Sequence, residues 1–255
     1  MSFSTKAKIA FAALILCLCA FQRLFAADDF DSLMRAGDAA VAAHHTRQAI
    51  PIYQRAAKLQ PGNVDLLLKL SRQTSDLIEI AKNHDEASHA AHESLDYAQR
   101  ALKLAPNNAQ AHLSVSIGYG KLTDYVSNRT KFQYAPIIKS EAERATQLDP
   151  NNDVAWLVLG RWTCSMANLN PVLRFFAELV YGKLPHATND DAIAFLRKAV
   201  RLGPDRIINR QALAKAYESA GDKTAAREQW QKILALPSVD VDDDAAKAEA
   251  RAALK

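Results

Sequence analysis

The sequence predicts an all-α chain, an α-solenoid of about five helix hairpins with long insertions and a C-terminal capping helix. Composition favours helix. Ala, Leu, Lys, Gln and Arg dominate, strand-like alternation is scarce, and only 8 Gly and 9 Pro interrupt the 255 residues. Hydrophobic residues make up 49%, enough for a sizeable core. The second observation is a recurring spacing. After Asp149-Pro150-Asn151-Asn152 come Trp156, Leu159 and Gly160, and further on Ala192, Leu196, Ala199 and Pro204. Small residues at Gly160, Ala192 and Ala199 let two antiparallel helices approach, Trp156, Leu159 and Leu196 fill the gaps, and Pro204 ends the second helix.

That order of residues is the tetratricopeptide pattern, with a unit of about 34 residues. The first repeat (30–62) has Leu33, Ala36, Gly37 and Ala40 on one helix, Ala49, Tyr53 and Ala56 on the next, and Pro61 at its end. The second (63–107) runs from Val64, Leu67 and Leu70 to Ser94, Ala98, Ala101 and Pro106. Ser94 stands where the template puts residue 83, so the insertion, Asn83 to Glu93, is expected to lengthen both helices. The third (108–151) carries Ala109, His112, Val115, Ser116 and Tyr119, then Ile138, Ala142, Ala145 and Pro150. Its surplus, Asp124 to Lys131, reads as a polar loop. The fourth (152–205) has the largest insertion, because Ala192 falls where residue 172 is expected. It includes Pro171 to Tyr181, after which Gly182 and Leu184-Pro185 turn the chain and Thr188 or Asn189 caps the returning helix. The fifth (206–238) holds Ile207, Leu213, Ala214 and Tyr217, a Gly221-Asp222 turn, then Ala226, Trp230, Ile233 and Pro237. Residues 240–255, acidic at the start and basic at the end, suit a polar capping helix.

Residues 1–27 stand apart from this domain of 28–255. Lys6 and Lys8 precede a thirteen-residue apolar run from Ile9 to Phe21, and Ala26-Ala27 lead into Asp28-Asp29. The arrangement is that of a signal peptide, and the run is short for a membrane span, which needs about 20 residues. Export to a periplasmic or extracellular space is the expectation. An uncleaved membrane anchor over residues 9–25 is the alternative, because Leu24 occupies a cleavage position that favours small residues. Two of the 3 cysteines lie in this segment, so Cys164 is left with no intramolecular partner in the domain, where a buried inert thiol is expected. Lys6, Lys8 and Arg23 also leave with it, so 29 of the 32 basic residues face 28 acids and the charge falls from +4 to +1. Nucleic acid is not implied.

The third and fourth units together resemble the regulator of microtubule dynamics family. The resembling residues are Asp124-Tyr125, Ile137-Ile138-Lys139, Ala145 to Pro150, Leu159-Gly160-Arg161-Trp162 and Ala187-Thr188 leading to Ala192. Most telling is Phe175-Phe176-Ala177, followed by Leu179 and Leu184-Pro185, which matches the family's inserted segment. The resemblance implies a non-enzymatic helical domain. In some animal members it is attached to microtubules, and in one it tethers membranes and binds phospholipid. A microtubule role requires the domain to face cytosol, whereas a cleaved signal peptide places it elsewhere.

Two sets of residues are candidates for binding. Phe175, Phe176, Leu179, Val180 and Tyr181, with Trp162, form an apolar group. Their i,i+4 spacing gives one face of a short helix that either packs as core, covers a lipid-sized groove, or docks on a membrane or protein. Lys69, Arg72, Lys121, Arg161, Asn209, Arg210 and Lys215 lie on or near the first helices of the repeats. There they either clamp an acidic peptide by charge-assisted hydrogen bonds or remain solvated surface. His84, His89 and His92 invite a metal reading, but no HExxH or paired CxxC supports it, and a site would need His44 or His45 from elsewhere. With no GxSxG, phosphate-cradling loop or paired carboxylate in an apolar pattern, neither catalysis nor a cofactor is expected. The expected function is a scaffold that binds a protein or peptide on its concave face.

Overall fold

The computed structural model describes residues 29–240 and 242–255, so the segment expected to be a signal peptide lies outside the described residues. Among the described residues twelve α-helices follow one another: α1 (Phe30–Ala42), α2 (Thr46–Leu59), α3 (Val64–Glu79), α4 (His84–Leu104), α5 (Ala109–Leu122) and α6 (Asn128–Leu148). Then come α7 (Asp153–Ala167), α8 (Pro171–Tyr181), α9 (Asn189–Leu202), α10 (Ile207–Ser219), α11 (Lys223–Ala235) and α12 (Asp243–Ala253).

Asparagine and proline set the boundaries. Helices α2, α4, α6, α9 and α11 each stop two residues before a proline, at Pro61, Pro106, Pro150, Pro204 and Pro237. A proline there lacks the N–H and the space to extend the helix. Two residues later the next helix is capped: Asn63, Asn108 and Asn152 accept from the N–H of Leu66, Ala111 and Ala155 at 3.0, 3.0 and 3.1 Å. The boundary after Pro204 breaks the rule. Arg206 stands in the asparagine's place and makes no side-chain cap.

The pairs are α1–α2, α3–α4, α5–α6, α7–α9 and α10–α11, with α12 packed on the last. From α3 onward the first helices also touch one another, α3 with α5, α5 with α7, α7 with α10 and α10 with α12. The first helices therefore form the inner layer of a curved stack. Close approach within pairs explains the glycines. A Cβ on Gly160 would stand 2.6 Å from Leu196 Cγ, and one on Gly37 would stand 2.2 Å from the Tyr53 ring. At the far end Ile207, Ala214, Trp230 and Ile233 receive Ala246 and Ala250 of α12, which closes the core there.

The insertions resolve differently from expectation. The second repeat's extra residues lengthen mainly α4, because Asn83 caps it through Glu86 N at 2.9 Å while α3 stops at Glu79. The third repeat's polar surplus is not all loop. Thr123–Tyr125 form a 3-10 turn, Ser127 caps α6, and Asn128 to Lys131 are its first turn. Thr188, not Asn189, caps α9, accepting from Asp191 N at 3.0 Å. The fourth insertion becomes α8, whose backbone runs alongside none of the other described helices, although Ala177 on one side of it is buried.

Candidate functional site

The inner layer carries most of the nominated cations, and nearly all are already answered by acids. Lys69 Nζ lies 2.8 Å from Asp38 of α1, and Lys121 pairs with Glu79 of α3. Lys215 Nζ lies 2.9 Å from Glu249 of α12, and Arg72 stands 3.9 Å from Asp76 one turn along its own helix. Asp38 shows the effect of such pairing. Burial alone would raise its carboxyl pKa, but hydrogen bonds from Lys69 and Tyr53 hold it below the usual carboxylate value.

Arg161 is the exception. On α7, Leu157 packs toward Leu213 and Ala216 of α10, while Val158 packs toward Leu113 of α5. One turn on and on the same side of the helix, Arg161 is exposed and makes no hydrogen bond or ion pair among the described residues.

Two other candidates are structural. Asn209 is 0% exposed and donates to Asp153 Oδ2 at 2.8 Å and to the Ala199 and Gly203 carbonyls, each at 3.2 Å. Arg210 donates to the Pro204 carbonyl at 2.9 Å and to Gln229 Oε1 at 3.2 Å, which joins α10 to the preceding turn and to α11. The spacing along the chain puts both on the binding face; both instead hold the repeats together, Asn209 the fourth to the fifth and Arg210 the two helices of the fifth.

The loop after Pro237 was not foreseen as part of this face. Asp243 accepts from the N–H groups of Val239 and Asp240, both at 2.8 Å, and Arg206 lies 3.7 Å from Asp240. So fixed, the loop brings acid toward α3. Burial lifts the Asp76 pKa, Arg72 and Lys121 pull it down, and Asp240 and Asp242 push it up again. Asp242 is lifted likewise, first by burial and then by Asp243, Asp240 and Glu79. A carboxyl whose folded pKa is raised opposes folding fully above that pKa, and the penalty fades as pH falls toward the ordinary 3.8. Asp76→Asn is therefore expected to raise the melting midpoint at pH 7 and to flatten its rise on acidification. A midpoint unchanged or lowered at pH 7 contradicts this.

The apolar candidates separate. Trp162 is buried at 7% exposure, its Nε1 lacks a partner among the described residues, and Lys139 Nζ lies 5.9 Å from its ring centre. It is packing between α6 and α7, not groove surface. Phe175, Phe176, Leu179 and Val180 are 63, 56, 71 and 65% exposed, so α8 neither fills the core nor closes over an apolar groove with these side chains. Tyr181 is the last residue of that helix. An open cleft of 440 Å³ does exist, but Asp190, Arg197, Tyr217 and Asp222 make it polar and no residue of α8 lines it.

The histidines go separate ways. His84 meets the Tyr125 ring edge-to-face at 5.1 Å, His89 lies 3.4 Å from Glu93, and His92 is bonded to the Ser88 carbonyl at 2.8 Å. Among the described residues no group of three or more His, Cys, Asp or Glu is placed to hold a metal. Cys164 is half-buried, 3.6 Å from Asn168 Nδ2.

The model of the family regulator of microtubule dynamics protein 1-3 matches residues 33–255. The chain belongs to that family. Regulator of microtubule dynamics protein 1 of Caenorhabditis elegans is 28% identical over 128 residues, 50% of this chain and 57% of that one. Regulator of microtubule dynamics protein 3 of Xenopus laevis is 30% identical over 181 residues, 70% of this chain and 39% of that one. The chain thus spans 57% and 39% of the length of these two relatives of the regulator of microtubule dynamics family. Among solved structures, a thermophilic tetratricopeptide protein of Thermus thermophilus superposes with a TM-score of 0.63 at 20% identity. The superposition covers 88% of this chain and 100% of that one, a likeness of fold.

Proposed function

We propose that the chain is a non-catalytic scaffold whose inner face captures an acidic segment of a partner protein, with Arg161 as the cation that meets it. The observation that carries this reading is the contrast between Arg161 and its neighbours. Lys69, Lys121 and Lys215 are held by acids of adjacent helices, whereas Arg161 presents a planar fork of donors with none of them engaged by a described residue. Arg161→Ala is expected to weaken binding of a labelled glutamate-rich peptide about tenfold, the loss typical of one charge-assisted contact. Lys121→Ala, at a cation already paired with Glu79, should weaken it much less. Equal affinity of the Arg161→Ala and parent proteins overturns the proposal.

The relatives' names supply a second reading, in which the partner is the microtubule itself. It holds only for a domain facing cytosol. We propose instead that residues 1–27 direct the chain for export, and the intact mass of natively produced protein tests this. A soluble species starting near Ala27 or Asp28 supports export and removes tubulin as a partner. A full-length species confined to membranes supports an anchor, and co-sedimentation with stabilised microtubules then becomes the decisive assay.

A further inference from the structure

Helix α8 is amphipathic in the reverse sense. At about 100° per residue, Val172, Phe175, Phe176, Leu179 and Val180 share one arc roughly 140° wide. A helix on a globular domain turns such an arc inward. Here all five side chains are exposed, from 56% at Phe176 to 71% at Leu179. The opposite side meets the protein. Ala177 is 3% exposed, and Arg174 donates to the Met166 carbonyl at the end of α7 and lies 3.7 Å from Glu178. The charged residues of the helix thus lie half-buried on the protein side and paired, while its hydrocarbon faces out.

We propose that α8 is a membrane-docking element that seats its apolar face in the interface of an anionic lipid bilayer. Four features favour a bilayer over other cover. The five side chains hold no hydrogen-bonding group, whereas a protein interface carries about one hydrogen bond per 100–200 Å². Together they offer on the order of 500 Å² of apolar surface, below the roughly 800 Å² that each partner of a stable dimer buries. The N-terminal N–H groups of the helix, and one carbonyl near its C-terminus, are satisfied before they reach lipid. Asn170 accepts from Val172 N at 2.9 Å and Leu173 N at 3.4 Å, and Gly182 N donates to the Glu178 carbonyl at 3.0 Å. Finally, the local charge suits anionic headgroups. From Trp162 to Asn189 the single acid is Glu178, which Arg174 answers, and the exposed Lys183 stands two residues past the helix end. Seated this way, α8 would hold the solenoid against a membrane while the inner face stays available, so the inference stands apart from the peptide reading.

The test is co-sedimentation of the full chain with vesicles of phosphatidylcholine alone and of an equimolar mixture with phosphatidylglycerol. The parent protein is expected to partition onto the mixed vesicles and more weakly onto the neutral ones. The double variant Phe176→Asp, Leu179→Asp should lose at least about tenfold in partition, since charge is driven into the apolar interface. Both positions are exposed, so helicity and melting midpoint should match the parent and exclude misfolding. Failure of the parent to bind either vesicle overturns the proposal. So does equal binding by the variant, which would assign the affinity to residues 9–21. A parent that ignores vesicles but self-associates in sedimentation velocity, with the variant monomeric, would overturn it in favour of a second copy on the same face.

Discussion

Trp230→Ala is expected to destabilise the C-terminal third of the chain by about 3–5 kcal/mol, the usual cost of removing a buried tryptophan. Trp230 is 2% exposed, and its Nε1 donates to Glu218 Oε1 at 2.7 Å. The ring sits among Ile207, Ala214 and Ile233 and under Ala246 and Ala250 of α12. Alanines alone offer α12 little surface to bury, so the capping helix depends on that indole. In a stack where each unit contacts mainly its neighbours, the damage should stay near α10–α12. Hydrogen exchange should show α12 and α11 losing protection while α1 to α6 keep theirs. Trp156→Ala is the internal comparison. That ring is half-buried beneath Lys198 Nζ at 3.8 Å, and its loss should cost clearly less. Equal costs for the two tryptophans, or below about 1 kcal/mol for Trp230, would deny α12 this role.

What the sequence made legible follows from local steric rules. Gly160, Gly37 and the five closing prolines act within one hairpin, where spacing along the chain translates directly into contact. Periodicity also identified α8 as apolar on one face. It did not say which face meets the protein, because periodicity reports segregation and not orientation. The ordinary expectation of apolar-inward therefore failed at Phe175, Phe176, Leu179 and Val180. The groove failed differently. The pairing of Lys69 with Asp38, Lys121 with Glu79 and Lys215 with Glu249 joins residues on successive first helices, and their meeting depends on the curvature of the stack. The approach of Asp240 and Asp242 to Asp76 depends on it still more, since most of the solenoid lies between them in sequence. The one usable signal was the asparagine series. Asn63, Asn108 and Asn152 set a rule that Arg206 breaks, and the break marks the place where polar residues are diverted into packing.

That break leads to the second large effect. Asn209→Ala is expected to cost roughly 2–3 kcal/mol, because it removes three buried hydrogen bonds and leaves a cavity at a fully buried position. Its Nδ2 serves Asp153 Oδ2 and the carbonyls of Ala199 and Gly203, the last of these just past the C-terminus of α9. At the first three boundaries the tight turn is followed by an asparagine cap; here Arg206 reaches out to Asp153 at 3.5 Å and Asp240 at 3.7 Å instead. Asn209 then supplies, from inside, hydrogen bonds that tie the end of one repeat to the start of the next. Gly203 completes the arrangement, since a Cβ there would lie 2.5 Å from Asp153 Oδ2 and 2.8 Å from Asn209 Nδ2. Asn209→Asp should be worse than alanine at pH 7, because it sets a second carboxylate beside Asp153, and should recover toward alanine as acid protonates the pair. Arg161→Ala, an exposed change, should leave stability within about 0.5 kcal/mol. Denaturant titration of the three variants distinguishes the roles. If Asn209→Ala keeps parental stability and instead loses peptide affinity, Asn209 belongs to the binding face and the structural assignment falls.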